Sequence, residues 1–336
     1  MNRGIYSSLL DHESYKKSEK RWYVELLLSK MYWYEHIVVE HDLFPTREAI
    51  VAELKHFKKQ VESSLEKRFI YFIASRTRVR FNTDKQPRYK RLGSKLILNL
   101  EIGAKRKNKK IIVSVIDEQT GELCRPVVRT TPEHITFKHG SGNTVTYAVH
   151  DFLSHTNHDL KISSEVHYVG YTKNPNSRPI NGSHSGLNDI LYSVPTEGRD
   201  IFVFYNLFKV LSCANNGEYN MNFVVANSMT DEVDADTEGK LIEKTLLLYF
   251  NAKLQQRNKR KELSELRKAL KQLSQKLRIA SVTVSYALEQ PDSYFRFMSS
   301  EIDPCHEHLF TCYLERECVA IEQGSPINDA FGFHGV

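Results

Sequence analysis

Long apolar runs are missing: nowhere in the 336 residues does one approach the roughly 20 needed to cross a bilayer, which excludes a protein built on membrane-spanning helices. The first 20 residues carry Arg3, Asp11, Glu13, Lys16 and Lys17 and lack an apolar core followed by a small-residue cleavage site. No secretory signal is expected, and the cytoplasm is the expected compartment. Cysteine is scarce as well. Cys124, Cys213, Cys305, Cys312 and Cys318 are odd in number and scattered, which suits a reducing environment better than a disulfide framework. No C-x-x-C, H-E-x-x-H or G-x-x-x-x-G-K-[ST] occurs, so zinc-peptidase and P-loop ATPase chemistries have no support. Cys305, His306, His308 and Cys312 come nearest to a zinc set, but their spacing matches no usual pattern, and a reduced cysteine pair on an amphipathic helix accounts for them.

What is present is charge, unevenly placed. The net charge of +6 hides three local fields. Between Arg76 and Lys110 thirteen Lys/Arg face only Asp84 and Glu101, a balance of +11. Between Lys253 and Arg278 the balance is +8, and from Glu301 to Val336 it reverses to −6. Blocks of this size can neutralise several phosphates and hold nucleic acid with strong salt dependence. Arg88, Lys90, Arg91, Lys105, Arg106, Lys107, Lys109 and Lys110 are the candidate nucleic-acid contacts.

Residues 18–41 and 46–74 have helix-like patterning; in the second, Thr46 is placed as an N-cap, and Ile50, Leu54, Phe57, Val61 and Leu65 recur at three and four. The expectation is a helical hairpin. KLILNLEIG and KKIIVSVID then read as two strands around the basic turn AKRKN. Beyond Gly140 come strand patterns at NTVTYAVHDF, EVHYVGYT, IFVFYNLFKV and YNMNFVVAN, and then the apolar helix EGKLIEKTLLLYFN. Leu263, Leu266, Leu270, Leu273 and Leu277 form a seam on the second basic block, expected to pack within the chain, with a homodimer as the other use of it.

Tyr168-Val169-Gly170 ends a strand, Arg178 follows Gly170 by eight residues, and Glu238 opens a helix with Leu241-Ile242 and a terminal Asn251. These segments resemble the GIY-YIG endonuclease superfamily over about 141–256. Gly4-Ile5-Tyr6 lies 162 residues before Tyr168 and is set aside. Thr146-Tyr147-Ala148 is taken as the counterpart of the first signature, on a strand expected to form a hairpin with that of Tyr168, although the flanking Gly and Ile are absent. The resemblance implies a metal-dependent phosphodiester hydrolase. Glu238 would hold Mg²⁺ or Mn²⁺, Arg178 would bind the phosphate, and Tyr147 or Tyr168 would help activate water, assisted by His184. Gly170 would permit close backbone approach. A phenol, an arginine fork and a metal suit that chemistry. Glu238-Gly239-Lys240 is also an E-x-K, but the restriction-type site using that motif carries it on a strand.

The expected architecture is α+β in three parts: 1–140, a helical hairpin and basic β-rich module; 141–256, a small GIY-YIG-like antiparallel sheet flanked by helices; and 257–336, a basic helix and acidic extension, mostly helical. The expected activity is endonucleolytic cleavage of DNA rather than RNA, with restriction or defence against foreign DNA as its setting. The alternative is a non-catalytic nucleic-acid-binding or partner-binding protein on a degenerate GIY-YIG fold.

Overall fold

The structure, a computed structural model, describes residues 2–38, 47–63, 65–66, 68–91, 93–117, 120–140, 142–156, 158–175, 190, 194, 197–217, 221–252, 255, 259–288 and 294–324. After a short helix, α1 (Glu13–Lys17), residues Glu19–Trp33 form a single strand, β1, and only Tyr34–Val38 is helical, as α2. The helix-like pattern of 18–41 is thus overridden. Strands pair with this segment along both its edges, and a run rich in Trp, Tyr and Val fits a pleated surface between them. Helix α3 (Arg47–Ser63) buries Ile50, Leu54, Phe57 and Val61 as the spacing predicts; Thr46 lies outside the described residues. The helix expected to continue through residue 74 gives way to β2 (Phe69–Thr77), so strand–helix–strand replaces the helical hairpin.

An inserted module follows. Strands β3 (Val79–Phe81), β4 (Arg88–Tyr89), β5 (Lys95–Ile102) and β6 (Lys107–Ser114) form one antiparallel sheet with β5 central, and β5 and β6 are the hairpin expected around the basic turn. Strands β7 (Val127–Thr130), β8 (His134–Lys138) and β9 (Thr144–Ala148) form a second sheet, followed by α4 (Val149–His155). A buried polar chain ties the module to the main sheet. Asp200 accepts from His150 Nε2 at 2.8 Å and pairs with Arg80 at 2.9 Å, while His150 Nδ1 meets the Tyr294 hydroxyl at 3.1 Å.

The chain continues through β10 (Ser164–Thr172), β11 (Arg199–Asn216), β12 (Met221–Ala226), α5 (Asn227–Thr230), α6 (Ala235–Phe250) and α7 (Lys259–Leu277). Helix α6 begins at Ala235, three residues before Glu238, where the sequence pattern opens it. Asp234 caps it by accepting from the N–H groups of Asp236 and Thr237, and Asn251 ends it in the left-handed region at φ 46°. The last segment is β13 (Ile279–Ala287), β14 (Phe297–Met298), β15 (Glu307–Glu315) and β16 (Cys318–Gln323), so among the described residues the C-terminal extension has one helix and four strands rather than being mostly helical. Among the described residues no helix is long and apolar enough to cross a membrane.

One nine-stranded mixed sheet, ordered β14-β10-β2-β11-β1-β13-β15-β16 with β12 on the remaining length of β11, organises the molecule. It draws strands from all three expected divisions, so 141–256 does not close a small sheet of its own. Successive residues of β2 serve opposite layers. Phe69, Tyr71 and Ile73 face the layer of α3, whereas Ile70, Phe72 and Ala74 share a core with Leu241, Ile242 and Leu246 of α6 and with Leu266, Leu270 and Leu273 of α7. The leucine seam therefore buries within its own chain, with Leu263 left exposed at 40 %.

Candidate functional site

The expected hairpin partner of the Tyr168 strand is corrected by register. Tyr147 lies on β9, which pairs only with β8, whereas β10 pairs antiparallel with β2, placing Tyr71 opposite Gly170 and Ile73 opposite Tyr168. The Tyr71 and Tyr168 rings stack, 5.8 Å between centroids at 18°. Gly170 makes that possible, because a Cβ there would lie 2.5 Å from the Tyr71 hydroxyl oxygen. Tyr205 of β11 joins the group at 6.3 Å from Tyr71, and its hydroxyl donates to the Pro175 carbonyl at 2.9 Å. Pro175, the last described residue before Arg178, thus lies at this aromatic face. Arg178 and His184 themselves lie outside the described residues.

Glu238 sits elsewhere, at the start of a helix that packs on the opposite face of the sheet from Tyr71 and Tyr168. Its carboxylate is completely buried and fully engaged. One oxygen accepts from Arg68; the other accepts from Arg3 at 2.8 Å and from the Asn227 amide at 2.7 Å. Arg68 also donates to Glu66 at 2.9 Å and to the Phe208 carbonyl at 3.2 Å, on a stretch of β11 between the parts paired with β2 and β12. Arg3 reaches Asp231 at 2.7 Å and the Leu65 carbonyl at 2.9 Å, held by Gly4 N–H on the Ser228 carbonyl and Tyr6 N–H on that of Met229. Gly4-Ile5-Tyr6 therefore forms part of the cover over Glu238 and no part of a hairpin with β10. Gly239 lets the packing close, since a Cβ there would lie 2.5 Å from the Tyr171 ring and 3.1 Å from Arg68 Cδ. Burial holds the Glu238 carboxyl above its ordinary value against the downward pull of Arg68 and Arg3.

This donor set does not fit Mg²⁺ or Mn²⁺. A divalent cation needs several oxygens converging on one position, and here two guanidinium groups and an amide point at the carboxylate instead. Among the described residues no group of three His, Cys, Asp or Glu side chains is arranged to hold a metal ion. Asn251 is a helix stop whose amide donates to Glu301 and whose oxygen accepts from Lys259 at 2.6 Å. Sequence reasoning missed Tyr71, Arg68 and Arg3. Phe69-Ile70-Tyr71 carries an Ile-Tyr pair that could have signalled Tyr71, but the helix-like reading of 46–74 concealed it.

The basic candidates lie on the inserted module in two groups, Arg88, Lys90 and Arg91 beside the Leu96–Ile97 end of β5 and Lys105 to Lys110 at the turn and first half of β6. Arg88, Lys90, Arg91, Lys105, Arg106, Lys107 and Lys110 are exposed and Lys109 is half-buried. Only Arg106 among them is paired with a carboxylate, that of Glu101 at 2.6 Å, among the described contacts. In the second basic block Arg267 and Lys271 meet Glu317 of the acidic C-terminal region at 3.3 and 2.9 Å. Comparison with protein-family models finds no match, and comparisons with curated proteins and with solved structures find none either.

The Cys305–Cys312 segment is the strand β15 and the turn before it, and the expected amphipathic helix is absent because alternate residues His308, Phe310 and Cys312 point into the core. His308 Nε2 lies 3.1 Å from the Cys305 carbonyl and Nδ1 lies 3.0 Å from the Tyr249 hydroxyl, an arrangement satisfied by the neutral ring donating from Nε2. Burial lowers the His308 pKa to about 4. A histidine depressed in the folded state resists a proton that the unfolded chain accepts, so stability is full above about 6.5 and declines as pH falls toward 4. That shift corresponds to about 3 kcal/mol once protonation is complete. Urea midpoints between pH 7 and 4 should fall steeply in the wild type and less so in His308→Gln; equal slopes would refute the assignment.

Proposed function

We propose that the protein binds nucleic acid, DNA in preference to RNA, on the cationic surface of the inserted module. The observation that carries this is the collection of Lys and Arg side chains standing exposed on β4, β5–β6 and their turns. Their binding should be dominated by counterion release. Fluorescence anisotropy on a duplex over a range of salt is expected to give a steep linear dependence of log affinity on log salt. Replacing Lys105, Lys107 and Lys110 together by Ala should flatten the slope by up to about 2.7, from roughly 0.9 per phosphate contact. An unchanged slope would end this assignment.

Phosphodiester cleavage is the second reading, favoured by Tyr71 stacked on Tyr168 across Gly170 and by Pro175, three residues before Arg178, meeting Tyr205 on the same face. On it, buried Tyr71 takes the structural place given in the sequence to Tyr147, and the half-buried Tyr168 stacked on it supplies the phenol that can accept or return a proton of the attacking water. No step is assigned to a metal at Glu238. Plasmid incubated with Mg²⁺ or Mn²⁺ should be nicked by the wild type and not by Arg178→Ala or Tyr168→Phe. Products that persist in both variants would remove cleavage by this face.

A further inference from the structure

The inserted module lines an open cavity of about 500 Å³ between β6, β8–β9 and the end of α4, within the size range of small-molecule sites. Its walls are aromatic and aliphatic. Tyr147 and His155 lie parallel at 17°, Phe137 and Phe152 lie at 29°, and Tyr147 meets Phe137 edge-on. Polar groups stand at the margin: His139 with Asp117 at 3.8 Å, together with Asn143. The rim keeps unusual apolar exposure, with Ile112 at 40 %, Ile116 at 55 % and Val145 at 38 %. Exposed large apolar residues grouped around a cavity signal a ligand or partner surface.

The surroundings select the ligand. Lys110 precedes Ile112 by two residues on β6, so both side chains point to the same face of the strand, about 7 Å apart. Asn99, half-buried, is directly opposite Lys110 on β5, and the cationic turn lies at the far end of the same hairpin. A ligand matching these features has a flat aromatic part with polar edges, joined at short range to an anion. A nucleotide has that constitution, and base–aromatic stacking with a nearby backbone cation is how single-stranded nucleic acid is commonly held. A neutral apolar peptide would leave the adjoining cations without a counterpart.

We propose that this cavity receives a nucleobase of a bound strand, stacked against the Tyr147–His155 wall, with Lys110 facing the adjoining phosphate. Tyr147, first considered as a catalytic group, becomes a recognition residue. The proposal rests on the nucleic-acid reading above, and the two fail differently. A labelled dodecathymidylate is compared by anisotropy with the same strand carrying abasic sites at alternate positions, alongside thymidine monophosphate. The intact strand should bind at least about fivefold tighter than the abasic one. Tyr147→Leu, which keeps apolar volume, should weaken the intact strand by about five- to a hundredfold, the range of one base–aromatic stack, while leaving the salt slope unchanged. Lys110→Ala should reduce that slope by about 0.7. Equal affinity for intact and abasic strands, with salt-dependent binding retained, would overturn the base pocket and spare the nucleic-acid reading. Monophosphate binding weakened by Tyr147→Leu, without discrimination between the strands, would overturn the tethered base in favour of a free nucleotide. Absence of salt-dependent binding to any strand would overturn both.

Discussion

Glu238→Ala is expected to destabilise the protein by about 3–5 kcal/mol, the usual consequence of removing one partner of a buried ion pair and leaving the other charge uncompensated. Here two charges are left. Arg68 and Arg3 would both lose their buried acceptor, and each would be left with one other carboxylate, Glu66 at 2.9 Å for Arg68 and the more exposed Asp231 at 2.7 Å for Arg3. A residue kept for metal binding behaves in the opposite way, because removing a functional carboxylate commonly leaves stability unchanged or raised. Urea unfolding followed by circular dichroism separates the two, and a wild-type midpoint in Glu238→Ala would show that the carboxylate is not an anchor. Adding Arg3→Met to Glu238→Ala should return part of the loss, since the uncompensated guanidinium is then gone.

Gly170→Ala should cost about 1–3 kcal/mol, the range for forcing extra volume into a packed core. The methyl would occupy space held by the Tyr71 ring, which is 1 % exposed, stacked on Tyr168 and lodged beside Tyr205. Tyr71 cannot retreat without disturbing both neighbours. In a Tyr71→Leu background, where the side chain ends short of the clash, the same Gly170→Ala change should be nearly neutral. A double-mutant cycle with no coupling between the positions would refute the contact. The outcome also bears on cleavage, because the same contact sets where the Tyr71 ring stands against Tyr168.

Local signals were legible and remote ones were not. Helix α6 carries its own punctuation, an Asp cap, apolar periodicity and an Asn stop, and it forms where expected. The β5–β6 hairpin is similarly self-contained, with its partners eight residues each and one turn between them. By contrast, the partner of β10 was assigned to the nearest upstream strand, and the true one, β2, lies beyond the whole inserted module. The sequence marks Glu238 as the acid at a helix start and points it to a metal, but its surroundings come from Arg3 and Arg68, 235 and 170 residues away in sequence. No pattern local to Glu238 announces two distant guanidinium groups. The β1 segment fails for a related reason: a run of aromatic and aliphatic residues satisfies helix and strand periods equally, and only the flanking strands decide between them.

Those flanking strands impose an order on synthesis. β1 is complete at residue 33, yet its first partner, β11, begins at residue 199 and its second, β13, at residue 279. At the usual 5–20 residues per second, the innermost strand of the sheet waits on the order of ten to thirty seconds for its first neighbour. During that interval two unpaired edges and the Trp22 and Val24 side chains that will be wholly buried stand open to other chains. The first strand of the sheet to be made therefore waits longest for a first neighbour, and newly made chains depend on that delay passing without association.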